Sequence, residues 1–218
     1  PDIICMAESH GRSDAITRAI SNRLKMHHAR FPGAGSWPGT ILSRYPMTHT
    51  ETAPMRGPRP EDLFTRHWGM AALRWPGDQR LIVHTAHLMP NIKNQAIRLR
   101  EAEAMLKTIE PQIEAGHSVL LVGDLNHSPD GPEYQLWLKA GFVDAFARHG
   151  EGQGFTFRAD RPYKRIDYVL AAGPIADRLR AARVVSEPPF SPAAEEEKAF
   201  ALSDHLPVLA TFDRRQRR

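Results

Sequence analysis

Ser118-Val119-Leu120-Leu121-Val122-Gly123-Asp124-Leu125-Asn126-His127 is the stretch whose reading decides the fold. A continuous apolar run suits a strand covered on both faces, and it ends in a permissive glycine, a carboxylate and a carboxamide. If the chain stays extended, Asp124 and Asn126 point to the same side. Such groups can orient and deprotonate a water, whereas an Asx-type turn with Asn126 as its cap explains them without any chemistry.

Outward from this strand, Asp2 to Glu8 reads as a second buried strand, through Ile3-Ile4-Cys5-Met6-Ala7. Ile16, Ile20 and Leu24 recur at helical spacing and predict a helix over 12–28, with Ser13 as a possible start cap. After a Pro/Gly loop over 31–40, Thr40-Ile41-Leu42-Ser43 restarts a strand that Arg44-Tyr45-Pro46 ends. Residues 47–66 are polar and proline-rich and predict a long surface excursion of the kind that borders sites. Trp68 to Trp75 and Arg80 to Leu88 then read as paired strands joined by Pro76-Gly77-Asp78. Asn91 to Glu114 is the clearest helix, with Ile97, Met105, Leu106 and Ile109 as its apolar positions. A shorter helix follows over Glu133 to Ala140, Phe142 to Phe146 fits either a strand or a turn, and Phe155-Thr156-Phe157 and Arg165 to Leu170 read as strands. Beyond Val184-Val185 and an acidic excursion through Lys198, Ser203-Asp204-His205 leads into Leu206 to Ala210, and Arg214 to Arg218 form a basic tail.

The 218 residues, 41% hydrophobic, suffice for one domain over 1–218 with a substantial core. A net charge of +4 favours an anionic partner, although an ordinary solvated basic face explains it equally. Cys5 is the sole cysteine, which excludes an intrachain disulfide framework and a Cys-rich zinc site. No apolar segment is long enough to span a bilayer. A reducing compartment is compatible with the single cysteine and not required; a monomer is the expectation, and of the compartments the cytoplasm is favoured.

Several strand ends repeat one pattern, apolar residues followed by groups suited to phosphate chemistry: Ala7-Glu8, Gly123-Asp124-Leu125-Asn126, Arg165-Ile166-Asp167-Tyr168 and Ser203-Asp204-His205, with His87 as a further contribution. Each is weak alone. Together, and in this order, they resemble the endonuclease/exonuclease/phosphatase superfamily of DNase-I-like metal-dependent phosphohydrolases. Met6-Ala7-Glu8 resembles its Leu-Gln-Glu signature, Gly39 to Pro46 its glycine-then-Ser-Arg-x-Pro strand, and Ala86-His87-Leu88 its Thr-His-Leu. The resemblance spans nearly the whole chain.

It implies an α+β fold, a four-layer α/β sandwich with two mainly antiparallel central sheets, and a divalent-metal-dependent phosphodiester hydrolase that uses an activated water. Glu8 would ligate Mg2+ or Mn2+, Asp124 would position and deprotonate the water, and Asn126 would fix its geometry. His205 would bind a phosphate oxygen or transfer a proton, with Asp167 orienting its imidazole. Asp204 would support that histidine or reach a metal, and His87 would contact the phosphate from the opposite side. The duller readings are that Glu8 and Asp204 cap turns, that His87 is a satisfied core histidine, and that Asp167 pairs with Arg165 or Arg161. Members of the family begin with a strand carrying an asparagine near the metal; Pro1 leaves no room for it, so the chain is expected to be N-terminally incomplete and to lack this first strand, or to have an altered site.

The rim chooses the substrate. Basic candidates are Arg44, Arg56, Arg59, Arg66, Arg158, Arg161, Lys164 and Arg165, and aromatic ones Trp37, Trp68 and Tyr163. Of these, Arg158, Arg165 and Trp68 are the expected substrate-binding residues; surface solvation and core packing are the plain alternatives. Endonuclease-like action on DNA is the leading expectation. The alternatives are a sphingomyelinase-like enzyme on membrane lipid, which Pro129 to Tyr134 also resembles, a small-molecule phosphatase, and a non-catalytic binding protein that retains the fold.

Overall fold

The computed structural model describes residues 1–9, 13–33, 37–53, 63–76, 79–191 and 202–214. Arg12, Arg56, Arg59, the Gly77-Asp78 turn, the acidic stretch around Lys198 and the tail from Arg215 lie outside them. In chain order the elements are β1 (Ile3–Met6), α1 (Ala15–Leu24), β2 (His27–Phe31), β3 (Gly39–Ser43), β4 (Met47–Thr52), β5 (His67–Trp75), β6 (Gln79–His87), α2 (Gln95–Glu114), β7 (Ser118–Asp124), α3 (Pro132–Lys139), β8 (Val143–Asp144), α4 (Ala145–His149), β9 (Asp167–Ala172), β10 (Leu179–Val184) and β11 (Val208–Phe212).

The strands form three sheets, one of six strands in the order β4-β5-β6-β7-β9-β8, one of three in the order β1-β3-β2, and the pair β10-β11. Among the described residues only β6 and β7 run parallel, joined through α2, and the other pairings are antiparallel. The fold is therefore α+β, with three sheets among the described residues where two were expected.

Alternation along each strand of the large sheet assigns its side chains to two interiors. Trp68, Met70, Ile82, Val119, Leu121, Tyr168 and Leu170 pack with Ala102, Met105 and Ile109 of α2 and Trp137 of α3. Their neighbours Ala71, Leu73, Leu81, Val83, Leu120 and Ala171 pack on the other face with Ala29, Phe31 and Ile41 of the three-stranded sheet. Phe146, Val169, Leu179 and Ala182 extend that second interior beneath β10 and β11.

Three expectations need correction. The polar excursion after Pro46 opens with an edge strand, β4, whose residues after Met47 are exposed; its Thr48, Thr50 and Thr52 suit the pleat and its backbone closes the free side of β5. Helix α1 is shorter than predicted and turns through the left-handed Lys25 into β2. It also leaves Ile16 (69%), Ile20 (37%) and Leu24 (37%) exposed and buries Thr17 and Ser21. Hydrogen bonding decides its orientation: Thr17 Oγ1 lies 2.8 Å from His28 Nε2, and Ser21 Oγ donates to the Met26 carbonyl at 2.6 Å.

Among the described residues no helix is long and apolar enough to cross a membrane. Gly123, at φ 146°, lets β6 approach β7, because a Cβ there would overlap the Ala86 carbonyl oxygen. Gly123→Ala should destabilise the protein by roughly 2–4 kcal/mol in urea unfolding. Gly116→Ala, at an open position of positive φ, should cost about 1 kcal/mol; equal losses would contradict this account of the β6–β7 contact.

Candidate active site

His87 ends β6, Asp124 ends β7 and Asp167 begins β9, and the register sets the three abreast, His87 opposite Asp124 and Asp124 opposite Asp167. By alternation all three belong to the face that looks toward the small sheets. Glu8 arrives from just beyond β1 and His205 from the loop before β11, which a bridge to Phe157 fixes in place.

His205 Nδ1 lies 2.8 Å from Asp167 Oδ2, and its Nε2 lies 3.9 Å from Asp124 Oδ2. One donor atom each from Asp124, Asp167 and His205 falls within 4.8 Å of the others, a group able to coordinate a divalent metal. On the far side of Asp124, the His87 ring stands between two carboxylates, its Nε2 3.6 Å from Asp124 Oδ2 and its Nδ1 3.7 Å from Glu8 Oε1. Both separations exceed a hydrogen bond.

The charges follow from this packing. Burial raises the Asp124 pKa well above the usual carboxylate range, and the nearby Asp167 charge adds to it, with His205 in opposition. Burial alone would lower His205, but its hydrogen bond to Asp167 and the charges of Asp167, Asp124 and Asp204 outweigh it and raise the imidazole to about 9. His87 moves the other way, to about 3, through burial and then the neighbouring His67, Arg66 and His205. Near neutral pH the site thus holds an imidazolium at 205 and a neutral ring at 87.

Asn126 does not continue the extended chain. It sits in the left-handed region at φ 53°, its N–H donates to Asp124 Oδ1 at 2.9 Å, and its Nδ2 donates to the Leu88 carbonyl at 3.1 Å. The Asx turn is therefore present, and it ties the ends of β6 and β7 together. Behind it, buried Glu101 accepts from the backbone N–H groups of Phe64 (2.7 Å) and Met89 (2.8 Å), while Arg98 donates to Glu133 (2.9 Å) and to the Asn91 carbonyl (2.6 Å). Helix α2 so clamps the turn whose Leu88 carbonyl holds Asn126.

Other expected site residues lie elsewhere. Asp204 is exposed and outside the compact donor group, its carbonyl accepting from Ala159 N–H at 2.8 Å, although its charge still helps to raise His205. Trp68 is fully buried on the helix-facing side, where its Nε1 donates to His84 Nδ1 at 3.1 Å, so no substrate can stack on it. Arg165 is buried and donates to the carboxylate of buried Asp144, and Arg158 is engaged twice by Asp160, at 3.1 and 3.0 Å. One site-side residue went unread in the sequence. His67 stands opposite His87 in the β5–β6 register, 1% exposed, and burial pushes its pKa down to about 4. Alternation from the core residue Trp68 was the signal that pointed to it.

The model of the Endonuclease/Exonuclease/phosphatase family matches residues 1–205. The chain belongs to the endonuclease/exonuclease/phosphatase family. Similar solved structures include the 3′ phosphatase NExo from Neisseria bound to a product DNA hairpin, at 20% identity over 98% of this chain and 89% of that one, with a TM-score of 0.74. An AP endonuclease from Archaeoglobus fulgidus is 21% identical over 98% and 89% of the two chains, with a TM-score of 0.72. Truncated TDP2 from Caenorhabditis elegans is 17% identical over 97% and 84%, also with a TM-score of 0.72. At these identities the likeness is one of fold. No curated protein matches the chain. The family fold and the acidic/histidine cluster together support a metal-dependent hydrolase in general terms.

Because the His205 pKa is raised above its ordinary 6.5, its charge stabilises the fold below that pH, and the contribution is lost as pH rises through about 9. Asp167→Asn removes the main raising partner. An NMR titration of the His205 ring in metal-free protein should show its pKa fall by at least about one unit in this variant; an unchanged value would break the proposed Asp167–His205 coupling.

Proposed function

We propose that this chain is a divalent-metal-dependent phosphodiester hydrolase that acts on DNA in an endonuclease-like manner. The observation that carries the reading is the convergence of Asp124, Asp167 and His205 with opposed protonation tendencies at the tips of strands drawn from both sides of the second interior. The donor chemistry fits Mg2+ or Mn2+, since the carboxylates of Glu8, Asp124 and Asp167 supply hard oxygen atoms. When bound, the cation would offset negative charge that develops on the phosphate oxygens.

The chain's own groups then divide the work. Asp124 has one oxygen held by the Asn126 N–H, and its other oxygen faces the two histidines. Its raised basicity suits it to accept a proton from the attacking water. Asp167 accepts from His205 Nδ1, which leaves the protonated Nε2 free to donate to a phosphate oxygen as charge accumulates there. His87, neutral and 3% exposed, forms the dry wall between Glu8 and Asp124. DNA is favoured over lipid and small esters because Neisseria NExo is recorded with a DNA hairpin and because the chain is net basic.

We infer further that the complete fold is the four-layer sandwich with two central sheets. Strands β1 and β11 each present an edge with no partner strand among the described residues. They pack over the adjacent strands β7 and β9, and an ion pair from Arg214 to Asp2 at 3.2 Å links their ends. One strand between them would merge the two small sheets, and it would cover Leu209, now 37% exposed.

EDTA should abolish hydrolysis of duplex DNA and of bis(4-nitrophenyl) phosphate, added Mg2+ or Mn2+ should restore it, and Asp124→Asn should lower kcat by about a thousandfold or more. Turnover indifferent to both changes would remove the mechanism.

A further inference from the structure

We propose that Arg66, seated on the ring of Trp37, binds a second, non-reacting phosphate of a polynucleotide, on the His87 side of the cluster. The inference rests on the reading of the site as a phosphodiesterase, and it assigns that site a further subsite.

Position comes first. Arg66 immediately precedes β5, and the first residue of that strand, His67, pairs with His87 at the end of β6. The guanidinium therefore belongs to the same rim as the strand tips.

Seating comes second. The Arg66 guanidinium lies 4.2 Å from the centroid of the Trp37 ring. The Trp37 carbonyl faces His67 Nδ1 at 3.3 Å, and the Gly33 backbone approaches the Arg66 carbonyl so closely that a Cβ would overlap it. The loop between β2 and β3 thus holds both members of the pair. An indole face fixes a guanidinium and removes water from one side, while its N–H edge stays in the ring plane, so little freedom is lost when an anion docks.

Availability comes third. The cations that sequence favoured are spent, Arg158 on Asp160 and Arg165 on Asp144. Arg66 has no carboxylate partner among the described residues, and it is half-buried. A fixed guanidinium with no carboxylate partner among the described residues, beside a site for one phosphate, fits a substrate with another phosphate at backbone spacing. A choline-type lipid headgroup offers a cation at that place, and a simple monoester offers nothing.

The test compares wild type, Arg66→Ala, Arg66→Lys and Trp37→Ala in two arms. In the first, hydrolysis of an oligonucleotide and of bis(4-nitrophenyl) phosphate is followed with Mg2+. The ratio of kcat/KM between the two esters should fall roughly tenfold in Arg66→Ala, through KM, and less in Arg66→Lys. In the second, binding of a fluorescent oligonucleotide is measured in EDTA against salt, where Arg66→Ala should weaken binding and lower the salt slope by about one. An unchanged ratio with unchanged binding overturns the proposal, as does an equal loss on both esters, which would place Arg66 at the reacting phosphate. Should wild type hydrolyse neither ester, the phosphodiesterase reading fails by itself, and the binding arm still decides the role of Arg66.

Discussion

Side chains leave a strand on alternate faces, and both faces of the six-stranded sheet are covered, so each residue of β5, β6, β7 and β9 is committed to one of two interiors. A slip of one residue in any of these strands would exchange their contents. On the helix side Trp68 donates to His84, and His84 Nε2 meets Gln112 Oε1 at 2.8 Å, while Glu133 keeps one buried oxygen, Oε2, without a partner among the described residues. On the other side His67 Nε2 and His87 Nδ1 are buried without hydrogen-bond partners among the described residues, beside three carboxylates. Interiors keep such groups unpaired where a ligand or a reaction uses them.

The second consequence of that commitment is electrical. Burial, and then the charge of Asp167 at the adjacent tip, raises the pKa of the carboxyl at 124, while Asp167, Asp124 and Asp204 hold the imidazole at 205 protonated. Opposed shifts of this kind separate a proton acceptor from a proton donor within one small volume. Rigidity comes from the row behind, where the buried pairs Arg98–Glu133 (2.9 Å) and Arg165–Asp144 (2.5 Å) hold the flanking turns. Removal of one partner from such a pair typically costs about 3–5 kcal/mol, so these arginines brace the scaffold.

Much of this was legible in the sequence, because burial on both faces leaves a strong signature. Glu8, His87, Asp124, Asp167 and His205 each follow or interrupt an apolar run, and the structure brings all five together. What escaped depends on which face a residue takes and on partners distant in the chain. Trp68 and His67 are adjacent, and only the register of β5 against β6 sends one to the core and the other to the site. Arg165 looked free because Asp144, which neutralises it, lies 21 residues away. Ile16, Ile20 and Leu24 carry a sound helical period, yet the hydrogen bonds of Thr17 and Ser21 turn that stripe outward. At Asn126 the sequence left an extended chain and an Asx turn both open, and the turn is the one that forms.

The central claim is that strand tips from the large sheet and from the small sheets meet around one cation. Anomalous scattering from crystals soaked in Mn2+ tests it most directly. The account predicts a peak bounded by Glu8, Asp124, Asp167 and His205, lost in the Asp124→Asn variant. A well-occupied peak elsewhere on the molecule, or none at saturating Mn2+ in crystals of active protein, would contradict it.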